Sequence, residues 1–234
     1  MIPKIIHYCW FGSEMPELIK KRVDAWKEFL PDYEFVLWNE KNYDVNKNIF
    51  LKNTYLSKNY AFTNDYFRVD VLNQFGGIYM DVDMVLLKPI DDFLKYNAFA
   101  GLEEQYAANG RGRIGLGILG THKDCNMCQA MMDFYENNSF IKRDLTFDYT
   151  PSTVLFSEQI YYSPKFGTEY DLTVFPEEVF YAMGLISRKL EIKPSSVAYH
   201  EWSYDGKKYW GGKVDMSNKE KMQLLTNYRR NCKK

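Results

Sequence analysis

Gly76-Gly77-Ile78-Tyr79-Met80-Asp81-Val82-Asp83 places two carboxylates one residue apart, just after an apolar run that leaves a glycine pair. The preceding segment, Tyr60 to Phe75, reads as a helix closed at its carboxyl end by Gly76. Ile78 to Met80 then read as a short buried strand. It delivers Asp81 and Asp83 to its carboxyl end, the edge of an open α/β sheet where ligands bind. Strand alternation predicts that both carboxylates face one side. Two hard oxygen ligands suit a divalent cation that keeps waters and shares its other positions with the phosphates of a nucleotide. Acidic pairs also occur in solvated turns, and the spacing alone leaves that bland alternative standing. A helix-loop-helix calcium loop fits poorly, because Val85 and Leu86 stand where an oxygen ligand and a glycine are needed.

Outward from this stretch, β and α signals alternate. Ile5 to Trp10 and Glu34 to Trp38 read as buried strands, with a helix opened by Pro16 between them. Val23, Trp26 and Phe29 or Leu30 line one face of that helix. Lys41 to Asn53 reads as loop and short helix. Ala98 to Leu102 and Ile114 to Gly120 read as strands, Asn126 to Tyr135 as a helix, and Leu172 to Phe175 and Val197 to His200 as late strands. The order predicts an α/β fold with a mostly parallel sheet flanked by helices. Asp65 and Arg68, three apart, share a face of the helix before the glycine pair. The spacing fits a solvated salt bridge or a polar clamp on a ligand.

With 234 residues the chain suits one α/β domain and buries a substantial core without disulfide staples. Thirty basic and 31 acidic residues give a net charge of −1, so no global field favours nucleic acid and any polyanion is bound locally. The 19 Tyr, 16 Phe and 5 Trp suit ring and sugar platforms as well as core packing. No apolar run approaches bilayer length and no signal-peptide pattern opens the chain, which predicts a cytoplasmic protein. Cys9, Cys125, Cys128 and Cys232 do not form a disulfide framework, and His122, Cys125 and Cys128 lack the fourth ligand of a structural zinc site.

Several ordered blocks carry a resemblance. Ile2-Pro3-Lys4-Ile5-Ile6-His7-Tyr8-Cys9-Trp10-Phe11-Gly12, Pro31-Asp32-Tyr33-Glu34 with Trp38-Asn39-Glu40, and Ala61-Phe62-Thr63-Asn64-Asp65-Tyr66-Phe67-Arg68-Val69-Asp70 lead into the Asp-x-Asp stretch. Together they resemble the sugar-binding region of capsular-polysaccharide type glycosyltransferases of the family-32 kind. These are related to fungal outer-chain mannosyltransferases and to the catalytic domains of glucosylating cytotoxins. The resemblance covers the first hundred or so residues.

It implies a GT-A fold and metal-dependent transfer of a sugar, with retention, from a nucleoside diphosphate donor to a glycan or lipid-linked acceptor in surface polysaccharide synthesis. A uridine diphosphate sugar is favoured over a guanosine diphosphate sugar, with Mn2+ or Mg2+ as cofactor. Trp10 then resembles the aromatic that stacks on the base and Asn39 a polar contact in the same pocket. Asp65 and Arg68 resemble the donor-sugar clamp, and Tyr79 a nucleotide contact. Asp81 faces sugar hydroxyls and metal, while Asp83 binds metal directly. Asn64 stands where relatives carry Ser. In Ala198-Tyr199-His200-Glu201-Trp202, His200 resembles a third metal ligand, and Trp202 or Trp210 a residue closing over the donor. Residues 1–102 form the nucleotide-sugar half and 103–234 the acceptor and closing half. Arg111-Gly112-Arg113 becomes a cleft wall able to attract diphosphate.

The departing phosphate can take the acceptor's proton on the same face, or a carboxylate such as Glu158 can act from the opposite one. The basic end Tyr228-Arg229-Arg230-Asn231-Cys232-Lys233-Lys234 allows peripheral contact with the inner membrane face. Two competing functions are a haloacid-dehalogenase-like phosphohydrolase using Asp81 and Asp83, and a non-catalytic nucleotide-sugar binding module.

Overall fold

The computed structural model describes residues 1–105, 110–202 and 216–231, the last six as backbone alone. In chain order the elements are β1 (Ile5–Cys9), α1 (Glu17–Phe29), β2 (Glu34–Trp38), α2 (Ile49–Leu56), α3 (Tyr60–Phe75), β3 (Gly77–Met80), β4 (Met84–Leu86), β5 (Ala98–Glu104), β6 (Arg113–Thr121), α4 (Asn126–Asn137), α5 (Ser152–Phe156), β7 (Thr173–Phe175), α6 (Glu177–Phe180), β8 (Ala198–His200) and α7 (Asn218–Asn231). A π-helical turn, Ser157–Tyr161, follows α5.

Six strands form one sheet in the order β2-β1-β3-β6-β5-β7. The pairs β1/β2, β1/β3 and β5/β7 are parallel, and β6 is antiparallel to both its neighbours. Five strands therefore run one way, as the alternating sequence requires, with β6 reversed. The carboxyl ends of β1, β2, β3 and β5 reach one edge, which gathers Trp10, Asn39, Asp81 and Glu104 from distant parts of the chain. The inner strands β1, β3, β6 and β5 are largely buried, while the edge strands β2 and β7 are partly exposed. One core layer lies under α2, α3 and α4; the other lies under α1 and the β4/β8 ribbon.

Local chemistry accounts for these elements. In α1, Ile19, Val23 and Trp26 recur at spacings of four and three and form the buried stripe. Trp26 also donates from Nε1 to the Met84 carbonyl at 2.8 Å, fastening β4 to this helix. The central helix α3 is buried at every position from Thr63 to Leu72, because α2 and α4 pack against it.

Gly76 ends α3 with φ 65° and ψ −163°, a conformation open essentially to glycine, and its amide still bonds to the Leu72 carbonyl at 2.8 Å. A Cβ there would lie 2.7 Å from the Lys123 backbone nitrogen. Gly76→Ala is therefore expected to cost about 2 kcal/mol, read as a lower urea midpoint at constant slope. A loss under about 0.5 kcal/mol, the ordinary surface range, would mean that the turn needs no glycine.

Candidate active site

The strand that delivers the carboxylates stops before it reaches them. After Met80 the chain turns, with Met84 N donating to the Asp81 carbonyl at 2.9 Å, and β4 departs into a separate two-stranded ribbon. Asp81 and Asp83 thus converge through a turn, which corrects the expectation that strand alternation would align them. The ribbon then brings in the third group. Met84 pairs with His200 in the antiparallel β4/β8 register, and Glu201 N donates to the Asp83 carbonyl at 2.9 Å. His200 Nε2 consequently lies 3.1 Å from Asp83 Oδ1 and 3.6 Å from Asp81 Oδ2. Among the described residues, Asp81, Asp83 and His200 form the one grouping of metal-type donors, with atoms within 4.8 Å of one another. His122, Cys125 and Cys128 form no such group; Cys125 caps α4 and hydrogen-bonds Cys128.

Asp81 is held from several sides. The Tyr79 hydroxyl donates to its Oδ1, Asn64 Nδ2 donates to the same oxygen at 3.2 Å, and its backbone amide donates to the Gly117 carbonyl at 2.8 Å. Arg68 Nη1 stands 3.9 Å from Oδ2. Burial alone would raise the Asp81 carboxyl, but the charge of Arg68, followed by His200, outweighs it and holds the group at about 2. Asn64 thus does more than replace a serine, since its Oδ1 accepts from Cys9 while its amide serves both Tyr79 and Asp81.

The Asp65/Arg68 pair forms at 3.0 Å, but in the buried middle of α3, neither on a solvated face nor at its carboxyl end. Arg68 also donates to the Leu116 carbonyl at 2.6 Å and lies 4.9 Å from the Tyr79 ring centroid. Its Nε is buried with no hydrogen-bond partner among the described residues. Burial pushes the Asp65 carboxyl up to about 6 despite the guanidinium beside it. Asp70, on another face, accepts from Tyr43 and Lys47.

For His200, burial opposes a proton, but the carboxylates of Asp83 and Asp81 prevail and raise its proton affinity. The Trp202 amide donates to Nδ1 at 3.1 Å, so that proton sits on Nε2, facing the carboxylates. Trp202 adopts φ 50°, folding its ring to 4.0 Å from the imidazole. Trp210 lies outside the described residues.

Other expected site residues take different places. Tyr79 is buried and spends its hydroxyl on Asp81, so it positions the carboxylate where a direct nucleotide contact was expected. Trp10 and Asn39 stand on adjacent strands at the same sheet edge. Trp10 donates from Nε1 to Ser13 Oγ at 3.1 Å, and Asn39 Oδ1 accepts from Lys41 N at 2.9 Å. Arg113 is bound to Glu103 and Glu104, and Arg111 lies over the Tyr162 ring at 5.7 Å, so the basic wall is partly neutralised.

Two residues had no sequence signal. Tyr181, fully buried, accepts through its hydroxyl from Gly117 N at 3.0 Å, and its ring stacks near His200 and Trp202. A Cβ on Gly117 would meet His200 Cδ2 at 2.7 Å, so this glycine is the space into which the imidazole packs. Glu103 occupies a β-bulge in β5 and is buried, its Oε1 3.1 Å from Arg113 Nε.

The fold and this edge define an α/β domain of the GT-A type. Residues 16–100 match the family model described as "Glycosyltransferase sugar-binding region containing DXD motif". Inositol phosphoceramide mannosyltransferase 3 of Schizosaccharomyces pombe is 35% identical over 105 residues, covering 42% of this chain and 29% of its own. An uncharacterized glycosyltransferase of Acanthamoeba polyphaga mimivirus is 27% identical over 202 residues, 81% of this chain and 76% of its own. The chain spans less than a third of the length of curated relatives such as the fission-yeast enzyme. The crystal structure of a glycosyltransferase involved in the glycosylation of the major capsid of PBCV-1 shares the fold, with TM-score 0.51 and 11% identity over 95% of this chain and 100% of its own.

Burial raises the Glu103 carboxyl from its ordinary 4.5 to about 7. The folded protein therefore holds a proton that the unfolded chain has lost, and stability falls as pH rises from about 4.5 to about 7, by up to about 3 kcal/mol. Glu103→Gln, neutral throughout, should gain stability relative to wild type between pH 4.5 and pH 8 in paired thermal melts. A constant difference between the two proteins would refute the buried, protonated carboxyl.

Proposed function

We propose that the chain is a metal-dependent hexosyltransferase. It moves a sugar, with retention, from a nucleoside diphosphate sugar to a glycan or lipid-linked glycan acceptor in surface polysaccharide synthesis. A uridine diphosphate donor is favoured over a guanosine diphosphate one. The observation that carries this reading is the convergence of Asp81, Asp83 and His200 beside the buried Arg68/Asp65 pair at the carboxyl edge of the sheet. The name of the fission-yeast relative, a mannosyltransferase of inositol phosphoceramide, supports a lipid-linked acceptor. No helix of the described residues is long and apolar enough to cross a membrane.

Two carboxylates and an imidazole fit Mn2+ or Mg2+, and the place where His200 now keeps its Nε2 proton is one that favours positive charge. Bound by Asp81, Asp83 and His200, such a cation would neutralise the charge that grows on a departing diphosphate. To ligate through Nε2, His200 would shift its proton to Nδ1, and the Trp202 amide would have to release that nitrogen. Arg68, fixed by Asp65 and the Leu116 carbonyl, adds a positive charge that needs no reorganisation during the reaction. Asp65 offers its carboxylate to sugar hydroxyls. Tyr79 and Asn64 keep Asp81 in one orientation.

Trp10 and Asn39 mark the base pocket at the same edge, with residues 1–102 holding the donor and 103–234 closing around the acceptor. Transfer on one face needs no protein nucleophile: the departing phosphate oxygen takes the proton as the acceptor oxygen bonds the anomeric carbon. Glu158, the opposite-face candidate, is exposed on the π-helical turn. The family match and the fold leave the phosphohydrolase alternative without support.

A thermal-shift series with uridine and guanosine diphosphates and their sugars, with and without Mn2+, tests the reading, because ligands of the native state raise its melting temperature. A Mn2+-dependent shift with one nucleotide is expected, and no shift with any of them would refute it. Turnover of that donor should then fall about a hundredfold or more in Asp83→Asn, given the several kcal/mol of charge stabilisation at stake. A folded Asp83→Asn protein with full turnover would remove Asp83 from the metal. Donor binding without hydrolysis or transfer would leave a binding module.

Mn2+ affinity should also rise with pH, because at lower pH His200 gains a second proton that the cation must displace. Calorimetry at a series of pH values measures that competition directly, and a folded His200→Ala protein that binds Mn2+ with unchanged affinity would exclude His200 as a ligand.

A further inference from the structure

Between α6 and β8 the chain leaves the body as a small hairpin. Glu191 N donates to the Ala182 carbonyl at 2.8 Å, Met183 bridges Leu190, and Gly184 N donates to the Lys189 carbonyl at 3.1 Å. The turn closes over residues 185–188, with Arg188 N bonded to the Gly184 carbonyl at 2.9 Å and Arg188 at φ 55°. This turn carries the most exposed aliphatic side chain inside the described sequence: Ile186 is 81% exposed, followed nearby by Ile192 at 58% and Leu190 at 42%. Single exposed aliphatics are ordinary on protein surfaces, but three within seven residues are not. Arg188, Lys189 and Lys193 are interleaved with them, against one acidic residue in the segment, Glu191, and against Glu178, which pairs with Lys193.

The base of the hairpin is tied to the site. Trp202 Nε1 donates to the Met183 carbonyl at 2.8 Å, and the same ring lies against His200. The Arg188 guanidinium lies 5.5 Å from the Trp202 ring centroid.

We propose that this hairpin is a docking element for an anionic lipid surface: Ile186, Leu190 and Ile192 enter the boundary between headgroups and acyl chains while the neighbouring Arg and Lys side chains meet lipid phosphates. Shape and charge favour this occupant. A four-residue turn is too narrow to supply the roughly 800 Å² per partner of a stable protein interface. Branched aliphatics collared by cations match the layered polarity of an anionic bilayer surface. The hairpin lies in the described structure, apart from the basic carboxyl end, most of whose side chains fall outside it. Docking here does not depend on the transfer reaction and would bring a lipid-linked acceptor toward the Asp81, Asp83 and His200 centre.

Co-sedimentation with vesicles of phosphatidylcholine alone and of phosphatidylcholine mixed with phosphatidylglycerol tests the proposal on the full chain. Wild type should bind the anionic vesicles and leave the neutral ones. The double variant Ile186→Asp, Ile192→Asp should lose partitioning by about tenfold or more, with its melting temperature unchanged. Ile186→Ser, a milder change at the most exposed position, gives a smaller loss and guards against misfolding of the double variant. Lys189→Glu should weaken binding at low salt and have little effect at high salt. Absent wild-type binding would overturn the proposal, as would equal binding by the folded double variant, which would assign the contact to the basic carboxyl end. A wild-type dimer in light scattering that the double variant abolishes would instead make the hairpin a contact between copies of the chain. None of these outcomes turns on nucleotide binding, so failure here is distinct from failure of the transferase reading.

Discussion

Asp81 keeps its charge in a largely buried position because Arg68 and His200 stand against it, and the surrounding architecture serves that balance. A lone buried carboxylate would take up a proton and lose its value as a ligand for cations. Here the compensating charges come from two elements far apart in the chain, the middle of α3 and the end of β8. Each is itself anchored. Arg68 is held by Asp65 and the Leu116 carbonyl, and His200 by the Trp202 amide and the ribbon with β4. The remaining lone pairs of Asp81 are satisfied by Tyr79 and Asn64, which fixes the carboxylate in one orientation.

That arrangement depends on an irregularity in the sheet. Ala100 of β5 pairs with Leu119 of β6, but the next residue, Gly101, pairs with Gly115, so residues 116–118 leave the β5 ladder. The freed carbonyls are then turned to the site: Leu116 accepts from Arg68 and Gly117 from the Asp81 amide. Tyr181 fills the gap, accepting through its hydroxyl from Gly117 N, while its ring supports His200 and Trp202. A bulge of this kind re-aims groups that a regular strand would commit to its neighbours. Glycine at 115 and 117 is needed because the Tyr181 and His200 rings lie where side chains would stand.

The second half of the chain takes a direct part in this arrangement. It supplies the imidazole, the ring that braces it, and the buried carboxyl of Glu103, and it ends the α6 to β8 connection in a hairpin with an aliphatic, cationic tip. Trp202 is the common member, bonded through its indole to the hairpin base and packed against the imidazole with the two rings tilted.

The amino-acid sequence by itself determined the alternation of strands and helices, the extent of α3 and its closure by Gly76, and the delivery of Asp81 and Asp83 to a sheet edge. These follow from local rules: apolar periodicity, a backbone conformation reserved for glycine, and the position of a short buried run. The ordered blocks through residue 100 carried the resemblance to the DXD sugar-binding region, since those blocks follow one another along the chain. Only the tertiary structure decided that the carboxylates meet through a turn, that His200 joins them across the β4/β8 ribbon, that Asp65 and Arg68 are buried, and that Tyr79 serves Asp81. Each of those depends on contacts between segments up to about a hundred residues apart, or on a bulge whose register no local pattern encodes. Burial of Glu103 belongs with them: the fold places its carboxylate in a bulge against Arg113, and its environment, not its neighbours in sequence, then sets its charge.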